Sequence, residues 1–162
     1  MSKAIVVSEF GDSSVLNYTE VEAPVAGPGQ VLVRMRATGV NFIEIYQRKG
    51  IYSVPLPHIL GAEGMGTIEA LGEGVTNLEV GQRIAFTDGI STYAEFALVP
   101  AEKALLIPAG MDDLTAAALP LQGMTAHYLA TSTFPLGPEH TALVHAGAGG
   151  VGLLLIQLAK LR

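Results

Sequence analysis

The chain has no cysteine at any of its 162 positions, so disulfides and thiolate zinc sites are excluded and a reducing compartment is compatible. Basic residues are also few: 9 Lys and Arg stand against 15 Asp and Glu, for a formal net charge of -6. They are scattered along the chain, with no basic stripe of the kind that neutralises phosphates, so nucleic acid is not an expected partner. No run approaches the ~18 apolar residues of a membrane span. The opening residues, Met1 to Glu9, hold too short an apolar run for a secretory signal. A soluble, cytoplasmic protein without membrane attachment is the expectation. Charged residues make up only 15% and hydrophobic ones 49%, so part of the surface is expected to meet a partner. Internal repeats and low-complexity segments are absent as well.

Turn-forming residues, by contrast, are plentiful, with 19 Gly and 9 Pro. Between residues 3 and 100 they separate short runs rich in Val, Ile, Leu and Thr. Strands are expected at Lys3–Val7, Val15–Val21, Gln30–Ala37, Gly66–Leu71, Arg83–Phe86, Thr92–Val99 and Lys103–Ile107. Val31, Val33 and Met35 alternate with Leu32, Arg34 and Arg36, which gives one better-buried face. Phe42–Lys49 is the single helical insert, with Asn41 as its candidate N-cap. Together these elements predict a barrel-like antiparallel module.

The pattern changes after Pro108. Asp112 and Asp113 open an Ala- and Leu-rich helical region that Pro120 divides or kinks. Thr141–Ala146 reads as a short strand and Gly149–Arg162 as a helix. An all-β part is thus followed by the start of an α/β part, with a boundary near residues 110 to 125.

Gly147, Gly149 and Gly152 satisfy G-x-G-x-x-G between the expected strand and helix. In a dinucleotide-binding turn the first glycine permits the bend and the second lets backbone approach a pyrophosphate. The third lets the helix pack closely on the strand. The helix N-terminus then offers unpaired N–H groups to the anion. A purely structural Gly-rich turn is the alternative. The acidic residue that would hold a ribose, or the basic surroundings of a 2′-phosphate, falls ~20 positions later, beyond Arg162. In the helix itself only Gln157, Lys160 and Arg162 are polar, as in a helix packed on a parallel sheet. With one strand of such a sheet in the sequence, the tail is expected to be disordered, repacked or buried in another chain.

Several segments in order resemble one family. These are Gly39-Val-Asn41-Phe-Ile-Glu44-Ile-Tyr46, Gly50-Ile-Tyr52, Leu60-Gly-Ala62-Glu63-Gly-Met-Gly66, Gly72-Glu-Gly-Val75, Val80-Gly-Gln-Arg-Ile84, Gln122-Gly-Met-Thr125-Ala126 and Ala146-Gly-Ala-Gly-Gly-Val-Gly152. They resemble the zinc-independent, zeta-crystallin-like quinone oxidoreductases of the medium-chain dehydrogenase/reductase superfamily. The resemblance implies an α+β chain: a GroES-like, mostly antiparallel β catalytic domain over residues 1–124, lacking its C-terminal returning segment. Residues 125–162 would then be the truncated beginning of a Rossmann α/β cofactor-binding domain. It implies dimers, and self-association through strand 141–146 and helix 149–162. Asn41 and Ala62 stand where zinc-dependent relatives carry a cysteine and a histidine ligand, so no metal is expected.

The resemblance further implies hydride transfer from NADPH to a quinone-like, electron-poor acceptor. The carried-over catalytic positions are Asn41, Tyr46 and Tyr52. The carried-over cofactor positions are Asn41, Thr125, Gly147, Gly149, Gly150, Val151 and Gly152. An asparagine amide can hydrogen-bond a carboxamide or an acceptor oxygen, and Tyr52 can donate to a developing oxyanion. Plainer roles stand beside these: Asn41 as a helix cap, the tyrosines as packing groups, and Thr125 as a helix-surface residue. Glu44 reads as a solvated helix residue rather than a catalytic base, and Glu63 as the maker of a structural hydrogen bond or ion pair rather than a catalytic group. His58, His127, His140 and His145 lack metal-ligand spacing, and His145 reads as structural, with a place facing the cofactor as its alternative.

Three functions follow: an enzyme of this family, of low or no activity in these residues alone; a parent that reduces activated C=C bonds, as enoyl or alkenal reductases do; or a non-catalytic folding or assembly module.

Overall fold

A computed structural model describes all residues from Met1 to Arg162. The chain divides into two units, Met1–Ala118 and Leu119–Arg162.

The first unit holds two antiparallel sheets. One runs β2 (Asn17–Val21), β1 (Ser2–Val7), β4 (His58–Ile59). The other runs β7 (Phe96–Pro100), β3 (Gln30–Thr38), β5 (Gly64–Leu71), β6 (Arg83–Phe86), β8 (Leu105–Leu106). The alternation along β3 is realised: Val31 and Val33 are fully buried while Arg34 is exposed. They pack with Ile68, Ile84, Phe86 and Val99 in the main apolar cluster. Burying a Val, Ile or Phe side chain contributes roughly 1.5–3 kcal/mol, so this cluster dominates the unit's stability.

Two bulges interrupt the pairing of β3 with β5. Leu32 opposes Ala70 and Val33 opposes Ile68, which leaves Glu69 as the extra residue on β5. Met35 opposes Gly66 and Ala37 opposes Met65, which leaves Arg36 as the extra residue on β3. The Arg36 guanidinium pairs with Asp113 at the start of α2 (Asp113–Ala118), and Arg83 of β6 donates to the same carboxylate at 2.6 Å. Ala116 and Ala117 of α2 then bury against Met65 and Ala85.

Several expected strands are shorter than the sequence suggests. Asp12 accepts from Ser14 N–H at 2.9 Å and from the Ser14 hydroxyl at 2.6 Å. This closes a 3₁₀ turn over Ser13–Val15, so β2 starts at Asn17. The expected Thr92–Val99 strand begins only at Phe96. Upstream, Ser91 is left-handed (φ 62°) and Ala94 bridges to Ala4, because here the chain passes from one sheet to the other. Ala101–Lys103 is likewise a 3₁₀ turn, leaving β8 with two residues.

In the second unit α3 (Pro120–Tyr128) opens on the proline, whose missing N–H costs nothing at a helix start. It runs into a π-helical turn, Leu129–Thr133, and packs against α4 (Gly150–Leu161). The expected strand Thr141–Ala146 is not formed. No strand in Leu119–Arg162 lies beside it to satisfy its N–H and C=O groups, and residues 145 to 148 turn instead. The tail, expected to be disordered, repacked or buried in another chain, forms a regular helix in α4. Leu153 and Leu161 are nevertheless 52% and 83% exposed, and Leu143 is 84% exposed. No helix is long and apolar enough to cross a membrane.

Candidate functional site

In the first unit the site residues gather where β5 begins and α1 (Phe42–Arg48) starts. Asn41 occupies the N-cap in extended conformation (φ -122°, ψ 162°). Its backbone N–H donates to Glu44 Oε2 at 2.7 Å, the return half of a capping box. Its side-chain Nδ2 donates to Glu63 Oε2 at 2.9 Å. Asn41 is therefore both a cap and the end of a tertiary hydrogen bond.

Glu63 is 1% exposed. Its backbone carbonyl accepts from Gly39 N–H (3.0 Å) and from the hydroxyls of Thr38 (2.9 Å) and Thr92 (3.3 Å). Gly39 must lack a side chain, because a β-carbon there would overlap the Glu63 carboxylate. The structural hydrogen bond expected of Glu63 is present.

Glu44 is not the solvated helix residue expected: it is 3% exposed. The capping role draws its carboxylate inward, toward the backbone of Asn41, and not out to water. Burial pushes its carboxyl above the usual range, the hydrogen bonds from the Asn41 and Glu44 backbone counter that, and the nearby Glu63 charge adds to it. Its second oxygen, Oε1, has no partner, and neither do the buried Tyr93 hydroxyl and Arg48 Nε. Burial, helped by the charge of Glu44, pushes the Tyr93 phenol up to about 12. Glu44 and Tyr93 are the polar groups that sequence reasoning undervalued. The Asn41-x-x-Glu44 spacing was the available signal for the first.

Tyr46 and Tyr52 stand edge to face, with ring centroids 5.5 Å apart and planes at 73°. Phe42 lies 6.3 Å from Tyr46 along the same helix. The turn that brings Tyr52 back uses Gly50 in the left-handed region (φ 74°), and Ile51 and Tyr52 both donate N–H groups to the Tyr46 carbonyl (2.9 and 3.2 Å). All these side chains are exposed, so the tyrosines form an apolar ledge on the surface and are not core packing groups. A ledge of this kind suits a flat, unsaturated ligand.

In the second unit the glycine turn closes through Gly149 N–H to Ala146 O at 2.8 Å. Ala146, not Gly147, takes the left-handed backbone (φ 51°), so the bend falls one residue earlier than the first-glycine argument requires. Gly152 behaves as the third glycine should. A β-carbon there would overlap the Ala146 carbonyl and lie 2.8 Å from the Gly147 Cα. At Gly150 a β-carbon would overlap the carboxamide of Gln122, a neighbour on α3 to which the sequence reading gave no site role. Val151 follows in the first turn of α4, which carries no acidic residue to compete with an anion for its N–H groups. Thr125, half-buried on α3, donates its hydroxyl to Leu121 O at 2.7 Å, leaving its oxygen lone pairs as acceptors.

The histidines make no hydrogen bond to these groups, although His145 directly precedes Ala146 in the glycine turn. His58 is half-buried on β4, and burial holds it below its usual range. His140 Nδ1 accepts from Gly137 N–H at 2.9 Å, while His127 and His145 are exposed. No group of three His, Cys, Asp or Glu side chains is arranged to hold a metal ion.

The sheets of the first unit and the glycine turn of the second define the class: a GroES-like domain followed by the start of a Rossmann domain. The alcohol dehydrogenase GroES-like domain family matches residues 27–109, just over half of the chain, and the chain belongs to that family, within the medium-chain dehydrogenase/reductase superfamily. More particularly, it is 43% identical to the quinone oxidoreductase of Pseudomonas aeruginosa, over 99% of this chain and 50% of that protein. It is 37% identical to a 2-haloacrylate reductase from a Burkholderia species, over 99% of this chain and 50% of that protein. The Escherichia coli quinone oxidoreductase, solved as a complex with NADPH, superposes with a TM-score of 0.94 at 34% identity, covering 98% of this chain and 49% of that one. The chain thus spans about half the length of the curated relatives it matches.

Proposed function

We propose that the protein belongs to an NADPH-dependent, zinc-independent reductase of quinones or similar electron-poor acceptors. The observation that carries this reading is the arrangement on α1, where a hydrogen-bonded amide (Asn41) and two exposed tyrosines (Tyr46, Tyr52) come from one helix and the turn after it. The residues of the second unit fit a dinucleotide: the Gly152 backbone lies flush with Ala146 and Gly147, and the first turn of α4 is free of acidic side chains.

When bound, NADPH would supply the hydride, and the protein would supply position and polarity. Backbone N–H groups at Gly147, Gly150, Val151 and Gly152 would face the pyrophosphate, with the partial positive charge of the α4 N-terminus favouring it, while Gly149, whose N–H is held by Ala146 O, would give close backbone approach. Thr125 would accept a hydrogen bond through its hydroxyl oxygen, since its proton is held by Leu121 O. Asn41 would bind the carboxamide or the acceptor oxygen. Tyr46 would hold the face of the acceptor, and the Tyr52 O–H would donate to the oxygen that gains charge. Low turnover by the 162 residues alone, which span about half the length of the relatives, is part of the proposal.

A second reading, reduction of an activated C=C bond, is favoured by the 37% identity to a 2-haloacrylate reductase. The same donors would then stabilise an enolate oxygen instead of a quinol oxygen. Self-association is part of the proposal, through segment 141–146 and α4, where Leu143, Leu153 and Leu161 are exposed. We place the protein in the cytoplasm, a reading supported by the absence of cysteine.

NADPH titration of this chain, beside a version extended to the length of its relatives, tests the assignment. The extended protein should turn over a simple quinone or a haloacrylate, and the preferred acceptor separates the two readings. An extended protein inert with NADPH across a broad acceptor panel removes the enzymatic assignment.

A further inference from the structure

The start of α1 and the start of β5 are joined by a side-chain hydrogen bond. Asn41 Nδ2 donates to Glu63 Oε2 at 2.9 Å between residues 22 positions apart, so this is a tertiary link and not a local cap. Glu63 is seated firmly: it is 1% exposed, and its carbonyl is held by Gly39, Thr38 and Thr92. The absent side chain of Gly39 leaves the space its carboxylate fills. The Asn41 backbone is fixed separately, by its N–H to Glu44.

An ionised carboxylate only accepts hydrogen bonds, whereas a side-chain amide has one donating end and one accepting end. Turning the Asn41 amide over would set Oδ1 against a Glu63 oxygen, acceptor facing acceptor, with the carboxylate out of reach of water. An unmatched buried polar pair costs more than a matched one contributes. One orientation of the amide is therefore strongly preferred.

We propose that Glu63 is a positioning residue that locks the Asn41 amide in one orientation, so that the site accepts a carboxamide-bearing ligand such as a nicotinamide in only one turn of its own amide. A ligand carboxamide also has a donating and an accepting end. Against a locked partner, one of its two orientations matches and the other opposes like groups. The ligand half of this statement rests on the reading of Asn41 as a cofactor contact, whereas the lock itself stands without it.

The lock is measured directly in the wild-type chain labelled with ¹³C and ¹⁵N, as a scalar coupling across the hydrogen bond from Asn41 Nδ2 to the Glu63 carboxyl carbon. The coupling is expected, and its absence overturns the lock. Glu63→Gln, whose amide can present either its accepting or its donating end to Asn41, should shift the Asn41 side-chain amide signals and weaken NADPH binding by roughly several-fold, as a charge-assisted hydrogen bond gives way to a neutral one without a fixed polarity. Unchanged signals and affinity would overturn the proposal. The double variant Asn41→Asp with Glu63→Gln restores a carboxylate–amide pair of reversed polarity. It should recover the melting temperature but not NADPH affinity, and recovery of both would reduce Glu63 to a structural role. Should Glu63→Gln not fold, the wild-type coupling decides the lock and Asn41→Ala supplies the affinity comparison. Coupling present without any NADPH binding by the wild-type chain removes the ligand half together with the cofactor reading. Binding present without coupling removes the lock alone.

Discussion

The carbonyl oxygen of Ala146 occupies the space where a β-carbon on Gly152 would stand. The third glycine of the turn is thus fixed by contact with backbone, which cannot swing aside as a flexible side chain would. Gly152→Ala is expected to cost about 1–3 kcal/mol of stability through overpacking. Displacing α4 from the turn should also weaken NADPH binding by roughly tenfold or more, since misplaced N–H groups no longer converge on the anion. Thermal unfolding and a fluorescence titration check both. Unchanged values in both would show that the turn tolerates a side chain and lies elsewhere in solution.

Glu44 gives stability a pH dependence of definite sign. Its folded carboxyl is raised, chiefly by burial, so the native state binds more protons than the unfolded chain above the ordinary carboxylate value of 4.5. Its contribution to stability therefore falls as pH rises out of that range. Glu44→Gln, which keeps an acceptor for the Asn41 N–H, should gain in melting temperature relative to wild type between pH 5 and pH 7. A difference that stays flat over that window would contradict the burial of the charge.

Asp113 behaves in the opposite sense. Hydrogen bonds from Arg36 and then Arg83 hold its carboxyl below the usual range. Its contribution is present above the unfolded value of 3.8 and lost as pH falls through the lower folded value. Asp113→Asn should lower the melting temperature at neutral pH, and less so in strong salt, because the group is solvent-accessible and screened. Equal effects at pH 7 and at pH 2 would argue for a packing role instead.

In the context of a protein as long as the relatives, Tyr52→Phe should lower kcat with quinone by on the order of 100-fold, the usual effect of losing one oxyanion donor, with little change in KM. Tyr46→Phe should have a much smaller effect, since its ring and not its hydroxyl is invoked. Equal kinetics for Tyr52→Phe and wild type would leave the tyrosine as a wall of the site.

Leu143→Lys with Leu161→Lys should shift sedimentation of this chain toward monomer, because both side chains are more than four-fifths exposed in the isolated chain. A chain already monomeric at high concentration would exclude self-association through this face.

Much of this was legible from local signals. The apolar alternation of β3, the Asn41 cap and the proline that opens α3 each report a short-range rule and each is realised, while of the glycine spacing Gly152 packs as expected and the bend falls on Ala146 instead of Gly147. What escaped depends on partners distant in sequence. Thr141–Ala146 has strand composition but no neighbour to pair with, and β4 is two residues long because only Val6 and Val7 meet it. Residues 92 to 95 have strand composition too, but they serve as the crossing between sheets. At the site, the residue types were readable and their surroundings were not. Glu44 looks like an ordinary helix-surface carboxylate, and its burial accompanies the capping contact with the Asn41 N–H, with Glu63 and Tyr93 near enough to interact with it electrostatically.

The two bulges in the central sheet act as a pair of compensating frameshifts. The extra residue Glu69 puts β5 out of phase with β3, and the extra residue Arg36 restores the phase before Thr38 meets Gly64. Only in the restored phase does Gly39 N–H reach the Glu63 carbonyl, with the Glu63 side chain on the face that Asn41 shares. Deleting either extra residue would turn Glu63 to the opposite face while leaving the apolar residues before the deletion paired as they are now. Deleting both would restore the phase, as a second frameshift suppresses a first.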